Sequence, residues 1–263
     1  MELILRLTLQ RYLPRIYSLA KMGYWNYRKV KETILGTRVQ ERFWERRHLK
    51  GGSDWGNPIS GNSANSWVES YWRSRHHRHR ELLMEIIQKH CPIETVLEVG
   101  CNCGPNLYMI AKEFESARVV GVDINRAAIE AGTRFFRSEG IENVRMLVRR
   151  ADELDDFSDK SFDIVFTDAV LIYVGPDKIK KVIQEMIRVA RKAIIFIELH
   201  REGGGSDCLS LGEYDRGYWI RDYSRIIESL NAKIKDFELE KIPKDAWEAA
   251  NWQHWGYTIE IVL

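Results

Sequence analysis

The sequence predicts an α/β fold: a doubly wound, mostly parallel sheet with helices on both faces, preceded by a helical N-terminal extension. Three observations carry this expectation. From about residue 93 onward, short apolar runs alternate with segments of helical period. The first five runs are nearly continuous in apolar residues, as expected of parallel strands covered on both faces. Residues 51–65, G-G-S-D-W-G-N-P-I-S-G-N-S-A-N, are the one long turn-rich stretch, and they separate this pattern from a basic Leu/Tyr/Trp-rich segment before it.

The elements follow in order. In residues 1–50, Leu5, Leu9, Tyr12, Leu13, Ile16 and Leu19 project to one side of a helix, with Arg11, Ser18 and Lys21 on the other. Pro14 demands a break or a helix start at that point. Residues 66–90 read as helix, with Ser66 as a cap and Val68, Trp72, Leu82, Leu83, Ile86 and Ile87 as its buried stripe. Strands are expected at Thr95–Val99, Arg118–Val122, Val144–Val148, Phe162–Thr167, Ala193–Ile197, Ile234–Leu239 and Tyr257–Leu263, the last two longer and pairing antiparallel. Helices are expected near 105–114, 126–139, 177–190 and 219–230. Two units result: residues 1–65 as a basic helical extension with its loop, and 66–263 as the α/β domain.

A chain of 263 residues with 44% hydrophobic and 30% charged residues and only 6 Pro is neither disordered nor collagen-like. Its net charge of +2 conceals an asymmetry. Residues 1–90 hold 17 Lys+Arg against 8 Asp+Glu, and residues 91–263 hold 23 against 30. A basic arm thus joins an acidic body, which argues against nucleic-acid binding over the whole surface. Four cysteines (Cys91, Cys101, Cys103, Cys208) are too few for a disulfide scaffold, and no C-x-x-C pair suggests zinc. A reducing, cytoplasmic setting is expected. No run of about 18 apolar residues spans a membrane, and Arg6, Arg11 and Arg15 interrupt the N-terminal apolar run against the order of a signal peptide.

The chemistry concentrates where the first strand enters the first helix, T-V-L-E-V-G-C-N-C-G-P-N-L-Y. Ligands of doubly wound folds lie beyond the carboxyl ends of the strands. Gly100 and Gly104 admit close backbone approach, Asn102 accepts positive φ at small cost, and Pro105 suits a first helical turn. The glycine spacing is not that of a dinucleotide fingerprint. Glu98 at the strand end repels phosphate and attracts an ammonium group, so a cationic ligand bearing an amino acid fits better and a nicotinamide dehydrogenase is disfavoured. Asp123 ends the next strand about 20 residues on, where a carboxylate grips ribose hydroxyls. Asp152 follows the third strand and can accept from an exocyclic amine; Asp168 follows the fourth.

In this order, E-V-G-C-N-C-G, V-G-V-D, A-D-E-L and F-D-I-V-F-T-D-A-V-L-I-Y-V resemble the motifs of class I S-adenosylmethionine-dependent methyltransferases, over roughly residues 93–200. The resemblance implies a Rossmann-like seven-stranded sheet with an antiparallel last strand and S-adenosyl-L-methionine as cofactor. It places Glu98, Gly100, Asn102, Gly104 and Asn106 by the amino-acid part, Asp123 on the ribose, Ile124 on adenine, Asp152 with Glu153 at the adenine amine, and Asp168 at the methionyl end. Asn102 replaces the usual middle glycine. Segments around Y-W-R-S-R-H-H-R-H-R, W-I-R-D-Y-S-R and W-Q-H-W-G-Y are similar to methyltransferases of small molecules and saccharides.

The resulting expectation is methyl transfer to a small-molecule, saccharide or lipid-linked acceptor by in-line displacement, with no metal. Two alternatives stand beside it: a cofactor-binding partner subunit without transfer, and an RNA methyltransferase using the basic arm. His200 and Asp168 are the candidate catalytic residues, His200 as base or else as a loop histidine bonding backbone. Tyr71 and Arg80, with Trp72 and His79, either cover the cofactor or pack a basic helix. His76, His77 and His79 are not read as a metal site, because Arg78 intervenes and carboxylates are sparse. Tyr173, Trp219, Tyr223, Trp247, Trp252, Trp255 and Tyr257 divide between an acceptor pocket and ordinary core. The arm has three readings: peripheral contact with an anionic membrane through residues 1–50, RNA binding, or a helical lid or dimer element.

Overall fold

The computed structural model describes residues 13–47, 67–203 and 212–263. Ser66, Cys208 and the first part of the N-terminal stripe (Leu5, Leu9, Tyr12) lie outside these residues. Helix α1 (Pro14–Leu35) begins on Pro14, whose missing N–H costs nothing in a first helical turn. Helix α2 (Arg38–Glu45) follows at once, and α3 (Trp67–Arg73) and α4 (Arg78–Lys89) lead into the sheet domain. The helix expected over 66–90 is therefore two. After a single 3-10 turn at Ser74–His76 the backbone extends at His77, which is the N-cap residue of α4.

The sheet domain runs β1 (Thr95–Val99), α5 (Pro105–Glu113), β2 (Arg118–Asp123), α6 (Arg126–Ser138), β3 (Val144–Val148), β4 (Phe162–Asp168), α7 (Ile179–Val189) and β5 (Ala190–Leu199). A short hairpin, β6 (Glu213–Asp215) and β7 (Tyr218–Ile220), precedes α8 (Tyr223–Ser229), β8 (Asp236–Lys241), α9 (Ala250–Trp255) and β9 (Gly256–Val262). Seven strands lie in the order β3-β2-β1-β4-β5-β9-β8. The first five are parallel, and β9 enters antiparallel between β5 and β8. The helix expected at 219–230 starts later, at Tyr223, because Asp222 accepts the Arg225 N–H as its cap while Trp219 belongs to β7.

Alternation along each strand feeds two apolar layers. Ile164 and Phe166 of β4, with Ile195 of β5, pack under Leu83, Ile87, Leu107, Ile110 and Phe136. Val165, Ile194 and Phe196 face Ile183, Met186, Tyr223 and Ile226 on the other side. Strand β4 is buried at every residue, with an apolar middle between Asp163 near its start and Thr167 and Asp168 at its end. That buried end sits directly beside the end of β1, since Glu98 pairs in register with Phe166.

The turn after β1 is set by backbone, not by side-chain preference. Gly100 has φ +85°, and a Cβ there would lie 2.3 Å from the Val170 side chain. Asn102 takes φ +52°, the left-handed region that Asn tolerates better than most residues. Replacing Gly100 with Ala combines an unfavourable φ with overlap, a cost of roughly 1–3 kcal/mol. The unfolding midpoint of Gly100→Ala is expected several degrees below wild type, with partial recovery when Val170→Ala is added. An unchanged midpoint would contradict this geometry.

Candidate active site

Four side chains from four elements meet at the carboxyl ends of β1 and β4. Glu98 is the last residue but one of β1, Asp168 ends β4, Asn106 stands in the first turn of α5, and Arg80 in the first turn of α4. All are buried. The Asn106 amide donates to Glu98 Oε1 (2.7 Å) and to Asp168 Oδ2 (3.0 Å), so one Nδ2 bridges both carboxylates. The Arg80 guanidinium donates to Asn106 Oδ1 (2.5 Å) and Asp168 Oδ2 (3.2 Å), and its Nε to the Ser74 carbonyl (3.0 Å). Tyr71 faces the same guanidinium, its ring centroid 5.3 Å away.

The two carboxylates differ in charge. Burial opposes ionisation of Asp168, but His79 and Arg80 outweigh it and hold this carboxyl well below the usual carboxylate range. Burial pushes Glu98 up to about 8; the Asn106 hydrogen bond opposes this and the Asp168 charge adds to it. Glu98 Oε2 and Asp168 Oδ1 are buried and accept no hydrogen bond from the described residues. Buried acceptors of this kind are costly unless a donor serves them.

A line of groups extends from Asp168 outward. His79 Nε2 lies 3.0 Å from Asp168 Oδ2, and His79 Nδ1 lies 2.6 Å from His77 Nδ1. Burial lowers the pKa of His79, with Asp168 opposing. The neutral ring then donates through Nε2 to the carboxylate and accepts at Nδ1 from His77, leaving His77 Nε2 as the outer lone pair. His77 is exposed. Trp247 covers His79 with ring centroids 4.2 Å apart and stacks on Trp252 at 3.8 Å.

The turn residues are held as a preformed cradle. Asp123 Oδ2 accepts from the Asn102 N–H and Oδ1 from the Asn125 N–H, both at 2.8 Å. Ile124 beside it is half-buried, and Gly104 adopts φ +85° as the N-cap of α5. Cys101 and Cys103 are buried, which drives the Cys103 thiol up to about 12 and Cys101 well upward too, so neither is a ready nucleophile. Glu198 of β5 accepts from the N–H groups of Val170, Leu171 and Ile172 and fixes the loop after β4. Burial raises it to about 7, against those three hydrogen bonds.

The N-terminal helices lie across this edge of the sheet. Thr37 N–H and Oγ1 both donate to Asp177 Oδ1 (2.9 and 2.7 Å). The Trp44 carbonyl accepts from Asn125 Nδ2 (2.9 Å), and its ring meets Tyr173 edge-on at 4.8 Å. Glu41 on α2 and Asp152 beyond β3 share Lys178 (2.8 and 3.1 Å) and Arg150 (2.5 and 3.1 Å). Asp152 therefore ties the extension to the body; exposed Glu153 reaches only Arg150, at 3.4 Å.

Of the residues singled out in the sequence, Glu98, Asn106, Asp168, Arg80 and Tyr71 converge, with the Gly100–Gly104 turn and Asp123 beside them. His200 is seated elsewhere: buried, its Nδ1 facing the Tyr223 N–H at 3.3 Å, with the rings of Tyr223 and Tyr257 beside it. That is the backbone-bonded reading of this histidine. Of the aromatic group, Trp247 and Trp252 border the site, whereas Tyr223 is core and Trp219 packs on Tyr214. Sequence reasoning missed the roles of His77 and His79, of Glu198 and of Trp44. The alternation H-H-R-H before an apolar stripe was the available signal for the histidines.

A family model described as a methyltransferase domain matches residues 96–193. Residues 96–193 are thus similar to a methyltransferase domain. The fold is the class I fold of S-adenosyl-L-methionine-dependent methyltransferases, as the sheet order also shows. A sterol 24-C-methyltransferase of Gibberella zeae is 32% identical over 120 residues, which is 46% of this chain and 29% of that protein. Geranyl diphosphate C-methyltransferase of Streptomyces coelicolor, solved with geranyl diphosphate and S-adenosyl-L-homocysteine, superposes with a TM-score of 0.58 at 16% identity, over 86% of this chain and 97% of that one. The [4+2]-cyclase SpnF superposes with a TM-score of 0.55 at 17% identity, over 86% and 95%. The chain spans about half the length of the curated relatives it matches first. The residues present fit the family's cofactor: the two unserved oxygens of Glu98 and Asp168 suit an ammonium group.

The histidine assignment is open to direct measurement. Imidazole 15N spectra should show His79 as the neutral Nε2–H tautomer at pH 7, titrating below the ordinary histidine range. Asp168→Asn removes the opposing charge, so the midpoint should fall further. A cationic His79 at pH 7 would contradict the assignment.

Proposed function

We propose that the protein transfers a methyl group from S-adenosyl-L-methionine to a small-molecule acceptor with a substantial apolar part, a lipid-linked molecule included. One observation carries the reading. The buried end of the cleft holds two carboxyl oxygens that no donor among the described residues serves, which is the complement of an amino acid's ammonium group. A dinucleotide pyrophosphate would meet Glu98 and Asp168 instead and be repelled.

The chain's residues divide the work of binding. Glu98 and Asp168 accept from the ammonium, Arg80 holds Asp168 ionised for it, and Asp123 takes the ribose hydroxyls with the acceptor capacity its two backbone bonds leave over. Ile124 packs on the adenine, and Asp152 and Glu153 lie at that end. The bound cofactor supplies a methyl electrophile that already carries its leaving group, so the remaining tasks are orientation and exclusion of water. Helix α2 covers the adenosine end through Trp44 and Glu41. Trp247 and Tyr173 supply apolar walls at the mouth. Where the acceptor is a hydroxyl or amine, His77 Nε2 takes its proton, with His79 and Asp168 orienting the ring.

The sterol and geranyl diphosphate methyltransferases among the similar proteins support an apolar acceptor. The similar fold of a cyclase shows that the architecture alone does not imply transfer, which is why the test begins with the ligand. Calorimetry with S-adenosyl-L-homocysteine should give micromolar binding. Glu98→Gln and Arg80→Met should each weaken it by roughly ten- to a hundredfold, about 1.4–2.8 kcal/mol. NADH should not bind. Absence of binding at millimolar S-adenosyl-L-homocysteine, or preference for NADH, would overturn the reading.

A further inference from the structure

Helix α1 presents its apolar residues away from the protein. On its inner side Glu32 is buried, accepting from Arg28 (2.7 Å) and Gln40 (2.8 Å), and Trp25 lies over Gly217 in the turn of the β6–β7 hairpin. On the opposite side Ile16, Leu19, Tyr27, Val30 and Ile34 are between 56 and 74% exposed. With Gly23 they recur at three- and four-residue spacing along all 22 residues of the helix. Isolated exposed apolar residues need no explanation, but a continuous stripe of this length does.

The charges around the stripe are as one-sided as the stripe itself. Arg15 and Lys31 project to its two margins and Lys29 lies beyond, while the only carboxylate of α1 is the buried Glu32. Helix α2 adds exposed Arg38 and Arg42, with Arg46 just beyond its end, against the one exposed carboxylate Glu45, and its Phe43 is 37% exposed. Aliphatic centre and cationic margins are the pattern of a helix lying in a bilayer interface, where the stems of Lys and Arg follow the apolar surface and their heads reach phosphates. A nucleic-acid surface would put its cations at the centre of the face. A second copy laid on the stripe would bring two sets of unneutralised cations together. At about 1.5 Å per residue the helix is long enough for a span, yet no helix among the described residues is apolar enough to cross a membrane.

We propose that the outward face of α1 docks on an anionic lipid bilayer, with Ile16, Leu19, Tyr27, Val30 and Ile34 seated between headgroups and acyl chains. Each cation near the surface adds about 1 kcal/mol of attraction, lost as salt screens it. Because α2 follows α1 directly and holds Asn125 and Asp177 at the cleft, docking brings the cleft's edge close to the lipid. The docking itself does not depend on what the cleft binds.

The test uses the full chain with vesicles of phosphatidylglycerol mixed into phosphatidylcholine, and phosphatidylcholine vesicles as reference. Co-sedimentation should be strong on the anionic vesicles, weak on the neutral ones, and fall as salt rises. The double variant Leu19→Glu, Ile34→Glu should lose at least roughly tenfold in vesicle affinity while its circular dichroism and S-adenosyl-L-homocysteine binding stay unchanged. Equal binding by variant and wild type, or no binding to anionic vesicles at low salt, would overturn the proposal. So would a wild-type dimer, monomeric in the variant, that ignores lipid. Failure of the wild type to bind S-adenosyl-L-homocysteine, with its vesicle binding intact, would count against the cleft assignment and leave the docking standing.

Discussion

Two carboxyl groups cannot both ionise cheaply in a dry interior, and the cleft of this protein is organised around that conflict. Glu98 and Asp168 are brought close because β1 and β4 are parallel neighbours, Glu98 level with Phe166 and Asp168 two residues further along the same face. Arg80 resolves one half by keeping Asp168 ionised. Asn106 joins the two carboxylates through one amide nitrogen. The other half stays unresolved: Glu98 is held largely protonated near neutral pH, with an oxygen that no donor among the described residues serves. A buried guanidinium is itself costly unless fully partnered, so Arg80, Asn106 and Asp168 form a unit in which loss of one member strands the others. Elements α4, α5, β1 and β4 are thereby fixed relative to one another at the point where a ligand would arrive.

The N-terminal extension depends on the same edge. Its contacts are polar and distributed: Thr37 on Asp177, Glu41 through Lys178 and Arg150 to Asp152, and Trp44 on Asn125 and Tyr173. Partly exposed ion pairs of this kind contribute about 0–1 kcal/mol each. The extension is thus held by many weak ties over the Asp123–Asp152 side of the cleft, whereas the deep end is built from strong buried ones. That division lets the cover adjust without disturbing the cluster beneath it. It also leaves the outer face of α1 without a task in the body of the protein.

Much of the fold was legible because its signals are local. Apolar runs bounded by turn residues located the strands, and Asn102 in the left-handed region fulfils the expectation that it replaces a glycine. The hairpin at Glu213–Ile220 was missed because three-residue strands carry no usable period; Arg216 at φ +45° followed by Gly217 was its only mark. The break at His77 was hidden by an apolar stripe that continues in register on both sides. At the site, Glu98, Asn106, Asp123 and Asp168 were legible from motif order, but their partners were not. His79 lies 89 residues from Asp168 in sequence, and Glu198 sits inside an apolar strand with nothing local to announce the three N–H groups it receives. Periodicity showed that α1 is amphipathic but not which side packs. Trp25 and Glu32, not the aliphatic stripe, turned out to face the body.

The central claim is that Glu98 is kept neutral until a cationic group arrives. Calorimetric titration of S-adenosyl-L-homocysteine in buffers of different ionisation enthalpy measures this directly. With Glu98 at about 8 and its carboxylate form favoured by a bound ammonium, binding at pH 7 should release close to one proton, about 0.9 per site at most. The release should shrink at pH 9, where the group is already ionised, and vanish in Glu98→Gln. Binding with no proton release at pH 7, or with release unchanged in the variant, would contradict the account.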